Sequence, residues 1–115
     1  MNIELLSDFC KKLPFVTEDI KWGNDLCFCI GNKMFCAATL TAPFSVSFKV
    51  KEEEFDELCN LPGIMPAPYA ARFKWILVTD ISKFSKKECE QYIKQSYELV
   101  KSKLPKKTLN QLKSS

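Results

Sequence analysis

The sequence contains no histidine. That removes the side chain most used as a general base, the partner of serine or cysteine in the common nucleophile dyads, and the most frequent zinc ligand. Glycine is scarce, occurring at Gly23, Gly31 and Gly63 alone. Three scattered glycines cannot write a phosphate-cradling loop or a dinucleotide fingerprint. Arginine is scarcer still, with Arg72 the only one. No apolar run approaches the roughly 20 residues of a membrane-spanning helix. The start, "MNIELLSDFC", lacks the basic segment and apolar stretch of a secretory leader. These absences lead us to expect a soluble, cytoplasmic, non-enzymatic chain with no catalytic residue, no cofactor and no membrane contact.

What is present is apolar material and lysine. The 115 residues are 46% hydrophobic, enough for one domain with a sizeable core. Residues 1–82 carry 8 basic and 11 acidic side chains, a balance of −3; residues 83–115 carry 9 lysines and 3 glutamates, a balance of +6. A basic C-terminal third suits an anionic partner, although a solvated lysine-rich helix face gives the same count.

The chain reads as one domain over residues 1–115, with no repeat and no linker. A helix is expected from about Asn2 to Lys12, Asn2 being its N-cap and Ile3, Leu6, Cys10 and Leu13 its inward stripe. Four strand-like runs follow with short connections: "VTEDIKW", which alternates through Val16, Ile20 and Trp22, then "LCFCI", "KMFCAATL" and "FSVSFKV". Such connections join antiparallel neighbours only. The dipeptide Gly31-Asn32 is a two-residue hairpin signal. In the fourth run Phe44, Val46, Phe48 and Val50 share one side, and Ser45, Ser47 and Lys49 the other. "KEEEFDELCNL" reads as a second helix, with Glu52, Glu53 and Glu54 at the positive end of its dipole. "PGIMPAP" reads as a loop, and a fifth strand is expected from roughly Lys74 to Ile81. A capping box of Ser85 and Glu88 opens the last helix, whose inward stripe is Cys89, Tyr92, Ile93, Tyr97, Val100 and Leu104. The tail from about residue 106 is expected to fray. The order α-ββββ-α-β-α gives an α+β fold, a two-layer antiparallel sheet of about five strands with helices on one face.

Six cysteines are expected to be free thiols, because they fall inside helical and strand patterns of a chain that has a core. With Gly31 and Asn32 as the loop, simple pairing sets Cys27 against Cys36 and Cys29 against Met34 on one face. Clustered soft ligands of this kind can bind Cu(I) or zinc. No C-x-x-C spacing accompanies them, so we expect small apolar side chains and no metal site. Glu18 and Asp19 are adjacent in a strand and point to opposite faces, which excludes them as a convergent carboxylate pair.

The stretch "PAPYAARFKWILVTD" interleaves rings with cations. One reading is a stacking platform for nucleic acid. The other, which we favour, has Tyr69, Phe73 and Trp75 anchoring the loop to the core while Arg72 and Lys74 reach solvent. Trp75 is then a structural anchor.

Several segments, in this order, resemble the MmcQ/YjbR family: the first helix ending in "LP", the "WGND" turn, "GNKMF", "PAPY" followed by "KW", and the closing "SYELVKSKLPKK". The resemblance covers nearly the whole chain. It implies a CyaY-like α+β fold, related in shape to frataxin, and a DNA-binding role described as a double-wing arrangement. The family positions carried onto this sequence are Lys33, Tyr69, Lys74 and Trp75; Cys29 stands where a basic residue is common. The expected nucleic-acid-binding set is Lys33, Lys49, Lys51, Tyr69, Arg72 and Lys74, assisted by the C-terminal lysines. The alternative is a protein-interaction or dimerisation module using the outer sheet face with its cysteines.

Overall fold

The computed structural model describes residues 1–114. Its elements are α1 (Ile3–Lys12), β1 (Thr17–Lys21), β2 (Asp25–Ile30), β3 (Lys33–Thr39), β4 (Val46–Lys49), α2 (Glu52–Cys59), β5 (Ile64–Pro66), β6 (Trp75–Val78), α3 (Lys86–Lys101) and α4 (Lys106–Ser114). Two single 3-10 turns, Ala71–Phe73 and Ile81–Lys83, flank β6. All six strands form one antiparallel sheet in the order β1-β2-β3-β4-β6-β5.

Local chemistry sets the element ends. The Asn2 side chain accepts from the Leu5 N–H at 2.9 Å and caps α1. Ser85 and Glu88 make the expected reciprocal pair at α3, at 3.0 and 3.1 Å. Glu54 accepts from the Lys51 N–H at the start of α2. Gly31 and Asn32 both have positive φ, 57° and 65°, the conformation a two-residue turn needs to match strand twist.

The core lies between the sheet and the helices. Leu6 and Cys10 of α1, Leu58 of α2, and Cys89, Ile93 and Tyr97 of α3 meet Phe28, Ile30, Phe35, Cys36, Val46, Phe48, Ile76 and Val78 of the sheet. Their burial is the main source of stability. The ring of Phe35 stands edge-on to Tyr97, with centroids 5.4 Å apart. The Tyr97 hydroxyl donates to the Pro14 carbonyl at 2.6 Å, tying α3 to the end of α1.

Four features differ from the sequence reading. First, the sheet has six strands, because Ile64–Pro66 in the proline-rich loop pairs with β6. Three residues with Pro66 give too little alternation to mark a strand, and proline is tolerated there because the strand is an edge. Second, α4 occupies the segment expected to fray; Leu109 and Leu112 pack against the core. Pro105 ends α3 and its carbonyl accepts from the Leu109 N–H in the first turn of α4.

Third, the β2–β3 ladder contains a bulge. Cys29 pairs with Met34, but Phe28 pairs with Cys36, leaving Phe35 as an extra residue. Simple counting from the turn therefore fails beyond Met34. Cys27 faces Ala37 and not Cys36, and Cys36 enters the helix-side core. The carbonyl of Phe35 accepts from the Ser96 hydroxyl at 2.6 Å, while Ser96 accepts from the Lys49 N–H at 2.9 Å. Ser96 is fully buried. One serine on α3 thus bridges β3 and β4 just beyond their last paired residues, Cys36 and Phe48.

Fourth, β1 is exposed on both faces. Ile20 is 57% exposed and Trp22 is 74% exposed, so their spacing is not that of a buried stripe. Glu18, Asp19 and Lys21 charge this edge, and β5 blunts the other with Pro66; both devices discourage pairing with a further strand.

Candidate nucleic-acid interface

The sheet face away from the helices carries Cys27 and Cys29 of β2, Ser47 and Lys49 of β4, and Trp75 and Leu77 of β6, by strand alternation. It is only partly wet. Cys27, Cys29, Ala67 and Trp75 are all buried, yet none belongs to the helix-side cluster. Trp75 is therefore packed into this outer layer and not into the helix-side core. It pairs with Lys49 across the β4–β6 ladder.

Two depressions share Met34 and Trp75 as lining. The first, of about 340 Å³, is lined by Lys33 and Met34 of β3, Lys49 of β4, Phe73, Trp75, and Val100, Lys103 and Leu104 at the end of α3. Three lysines from separate parts of the chain line this groove, and no carboxylate does. Burial holds the Lys49 ammonium below its ordinary pKa, and the neighbouring Lys103 charge adds to the effect. Its Nζ donates to the Phe73 carbonyl at the end of the first 3-10 turn. That bond fixes the amine at the groove wall.

The second depression, of about 600 Å³, is lined by Trp22, Asp25, Met34, Ser47, Trp75 and the segment Ala67–Ala70. Met34 and Trp75 line both, so the two depressions adjoin. Tyr69 is wholly exposed. Both Tyr69 and Trp22 have left-handed backbones, with φ of 66° and 56°. For a bulky aromatic this conformation costs roughly 1 kcal/mol or more. The chain holds two large rings in solvent on strained backbones, one from the β1–β2 turn and one from the loop after β5.

The expected set separates in two. Lys33 and Lys49 share the lysine groove, with Lys103 now identified among the assisting lysines. Tyr69 lines the aromatic groove. Arg72 stacks on the Phe73 ring at 4.7 Å, at the border of the lysine groove. Lys74 and Lys51 turn elsewhere. The Lys74 ammonium lies 4.9 Å above the ring of Phe55 on α2, and Lys51 precedes the acidic first turn of that helix. Neither lines a groove. The expectation that Tyr69 and Phe73 are buried anchors is corrected: Phe73 is 52% exposed, and the loop is held by Ala67 and Trp75, whose backbones are bonded at 3.0 Å. Small Ala67 gave no signal of this role, and neither did Trp22, which the sequence reading placed in the alternation of "VTEDIKW" with Val16 and Ile20.

All six cysteines are free. Burial raises the thiol pKa at Cys27, Cys29, Cys36, Cys59 and Cys89. Among the described residues no three histidine, cysteine, aspartate or glutamate side chains are grouped to hold a metal ion. No helix among them is long and apolar enough to cross a membrane.

The fold and its grooves define a small α+β domain, helix-covered on one sheet face, with adjoining cationic and aromatic depressions. The chain belongs to the YjbR family, whose model matches residues 11–99. A comparison with curated proteins finds no match. Among solved structures the chain is similar to the Deinococcus radiodurans protein DR2400, described as having a DUF419 domain. The TM-score is 0.85 at 23% identity, over 96% of this chain and 87% of that one. It is also similar to a Pseudomonas syringae protein, with a TM-score of 0.71 at 22% identity, over 86% of this chain and 98% of the other. At these identities the likeness concerns the fold.

Proposed function

We propose that this domain is a non-enzymatic nucleic-acid-binding module that seats backbone phosphates in the lysine groove, with DNA as the ligand to test. The observation that carries the reading is the convergence of Lys33, Lys49 and Lys103 on a groove without a carboxylate in its lining. Like charges gathered this way repel one another, and an anion relieves the repulsion. Arg72 at the border extends the cationic surface. The thiols of Cys36 and Cys89, raised in pKa by burial, are poor nucleophiles, which supports binding over catalysis.

Three phosphate contacts set the salt dependence. For duplex DNA the slope of log K against log salt is about −0.9 per phosphate, or about −2.7 here. Affinity should fall about 40-fold between 50 and 200 mM salt. Fluorescence anisotropy with a labelled duplex measures this directly. Replacing Lys33 and Lys103 together by glutamate should abolish binding and leave the thermal melt intact. The reading fails if no complex forms at 20 mM salt, or if the double variant binds as well as the parent chain.

A further inference from the structure

We propose that the aromatic depression beside the lysine groove is a stacking site for an unpaired base, so that the domain selects single-stranded over duplex nucleic acid. The inference rests on the phosphate-binding reading and deepens it.

Four features point to this occupant. Trp22 and Tyr69 stand 74% and 104% exposed, although large rings are normally hidden. Both line one depression with the flat side chain of Trp75 and the soft side chain of Met34. Its volume of about 600 Å³ lies within the range of about 300–1,000 Å³ typical of small-ligand sites. Most decisive is the neighbour across Trp75 and Met34, the groove of three lysines. An occupant that fits both must be flat and apolar at one end and anionic at the other. A nucleotide has that character. A base inside a duplex cannot lie on these rings, because both of its faces are already stacked; an unpaired one can. Asp25 and Ser47 are polar groups of the same lining. A carboxylate accepts from an exocyclic amino group, as aspartate does from cytosine. It meets no such donor in thymine, so strands of cytosine should bind more tightly than strands of thymine.

The test uses the full chain and three labelled probes of equal length: a single-stranded dodecamer of cytosine, the same backbone with abasic sites, and a duplex. At low salt the base-bearing single strand should bind roughly tenfold more tightly than either of the others, the worth of about one stacked base. Tryptophan emission should be quenched on binding. Tyr69→Ala and Trp22→Ala should each remove most of that preference and leave the salt slope unchanged, since neither side chain contacts phosphate. Tyr69→Phe should retain it. Both residues are exposed, so the variants should melt like the parent chain. Equal affinity for the abasic and base-bearing strands, or full affinity in the alanine variants, overturns the stacking site while leaving phosphate binding standing. Absence of binding by every probe overturns both. Self-association that Tyr69→Ala abolishes, without any effect on strand binding, would assign the rings to a second copy of the chain and overturn the inference.

Discussion

Replacing Ser96 by alanine should be among the most damaging single-atom deletions in this domain. The hydroxyl donates to the Phe35 carbonyl at 2.6 Å and accepts from the Lys49 N–H at 2.9 Å, and the residue is fully buried. Neither backbone group has another partner within the β3–β4 ladder, whose pairing ends at Cys36 and Phe48. Alanine leaves both unpaired in a packed interior, and one missing oxygen makes too little room for water to replace it. An orphaned buried polar group costs about 1–3 kcal/mol, so the pair should cost about 2–4 kcal/mol together. Unfolding entropy near 2.1 cal/mol/K per residue gives about 0.24 kcal/mol/K for a chain of this length, and a melting point lowered by about 8–17 °C. Urea titration should show the lower midpoint with the slope preserved. Because Ser96 also sets the backbone of Lys49, oligonucleotide affinity should drop under conditions where the variant remains folded. A loss of stability under 0.5 kcal/mol would refute the claim that this serine completes the sheet at the bulge.

Two further outcomes are expected. Gly31→Ala should lower stability by about 1–2 kcal/mol from its positive φ alone. It should lose more because the new methyl would sit 2.9 Å from Leu104 Cδ1 and 3.0 Å from Thr108 Cγ2; thermal melting followed by circular dichroism reads the sum. Alkaline pH should destabilise the fold through Cys89, whose thiol burial pushes up to about 11. The unfolded thiol loses its proton near 9 and the folded one keeps it, so stability is constant below pH 9 and declines towards pH 11. The decline should reach about 2.7 kcal/mol. Urea midpoints at pH 8 and 10.5 should differ by less in Cys89→Ala, and an unchanged difference would exclude this thiol as the cause.

The sequence made some parts of this architecture legible and hid others for definite reasons. Capping at Asn2 and Ser85 is a local exchange between a side chain and a nearby N–H, so a few residues suffice to see it. The alternation of Val46 and Phe48 against Ser47 and Lys49 likewise named its own core face. The bulge at Phe35 could not be seen this way. What makes it tolerable is Ser96, 61 residues distant, and no pattern near Phe35 announces that partner. The short strand Ile64–Pro66 is invisible for a related reason: it exists because β6 offers an edge. In the candidate site, Lys33 and Lys49 line one groove and Tyr69 the other; residue type alone led us to group them. It misled at Lys74, whose ammonium is drawn to the Phe55 ring by a contact made only in the folded chain. Trp22 was hidden because alternation describes strand interiors, and this ring belongs to a turn.

The unpaired residue in β3 has a consequence for how this chain tolerates changes in length. Excising Phe35 would leave every other partnership in the hairpin as it stands, with Cys29 still opposite Met34 and Phe28 still opposite Cys36. The sheet would close up like a zip with one tooth fewer, at the expense of a ring under Tyr97 and a carbonyl for Ser96. A deletion elsewhere within β2 or β3 would instead turn the rest of that strand inside out. Relatives lacking one amino acid in this hairpin are thus expected to lack it here, and to carry something other than serine where this helix has Ser96.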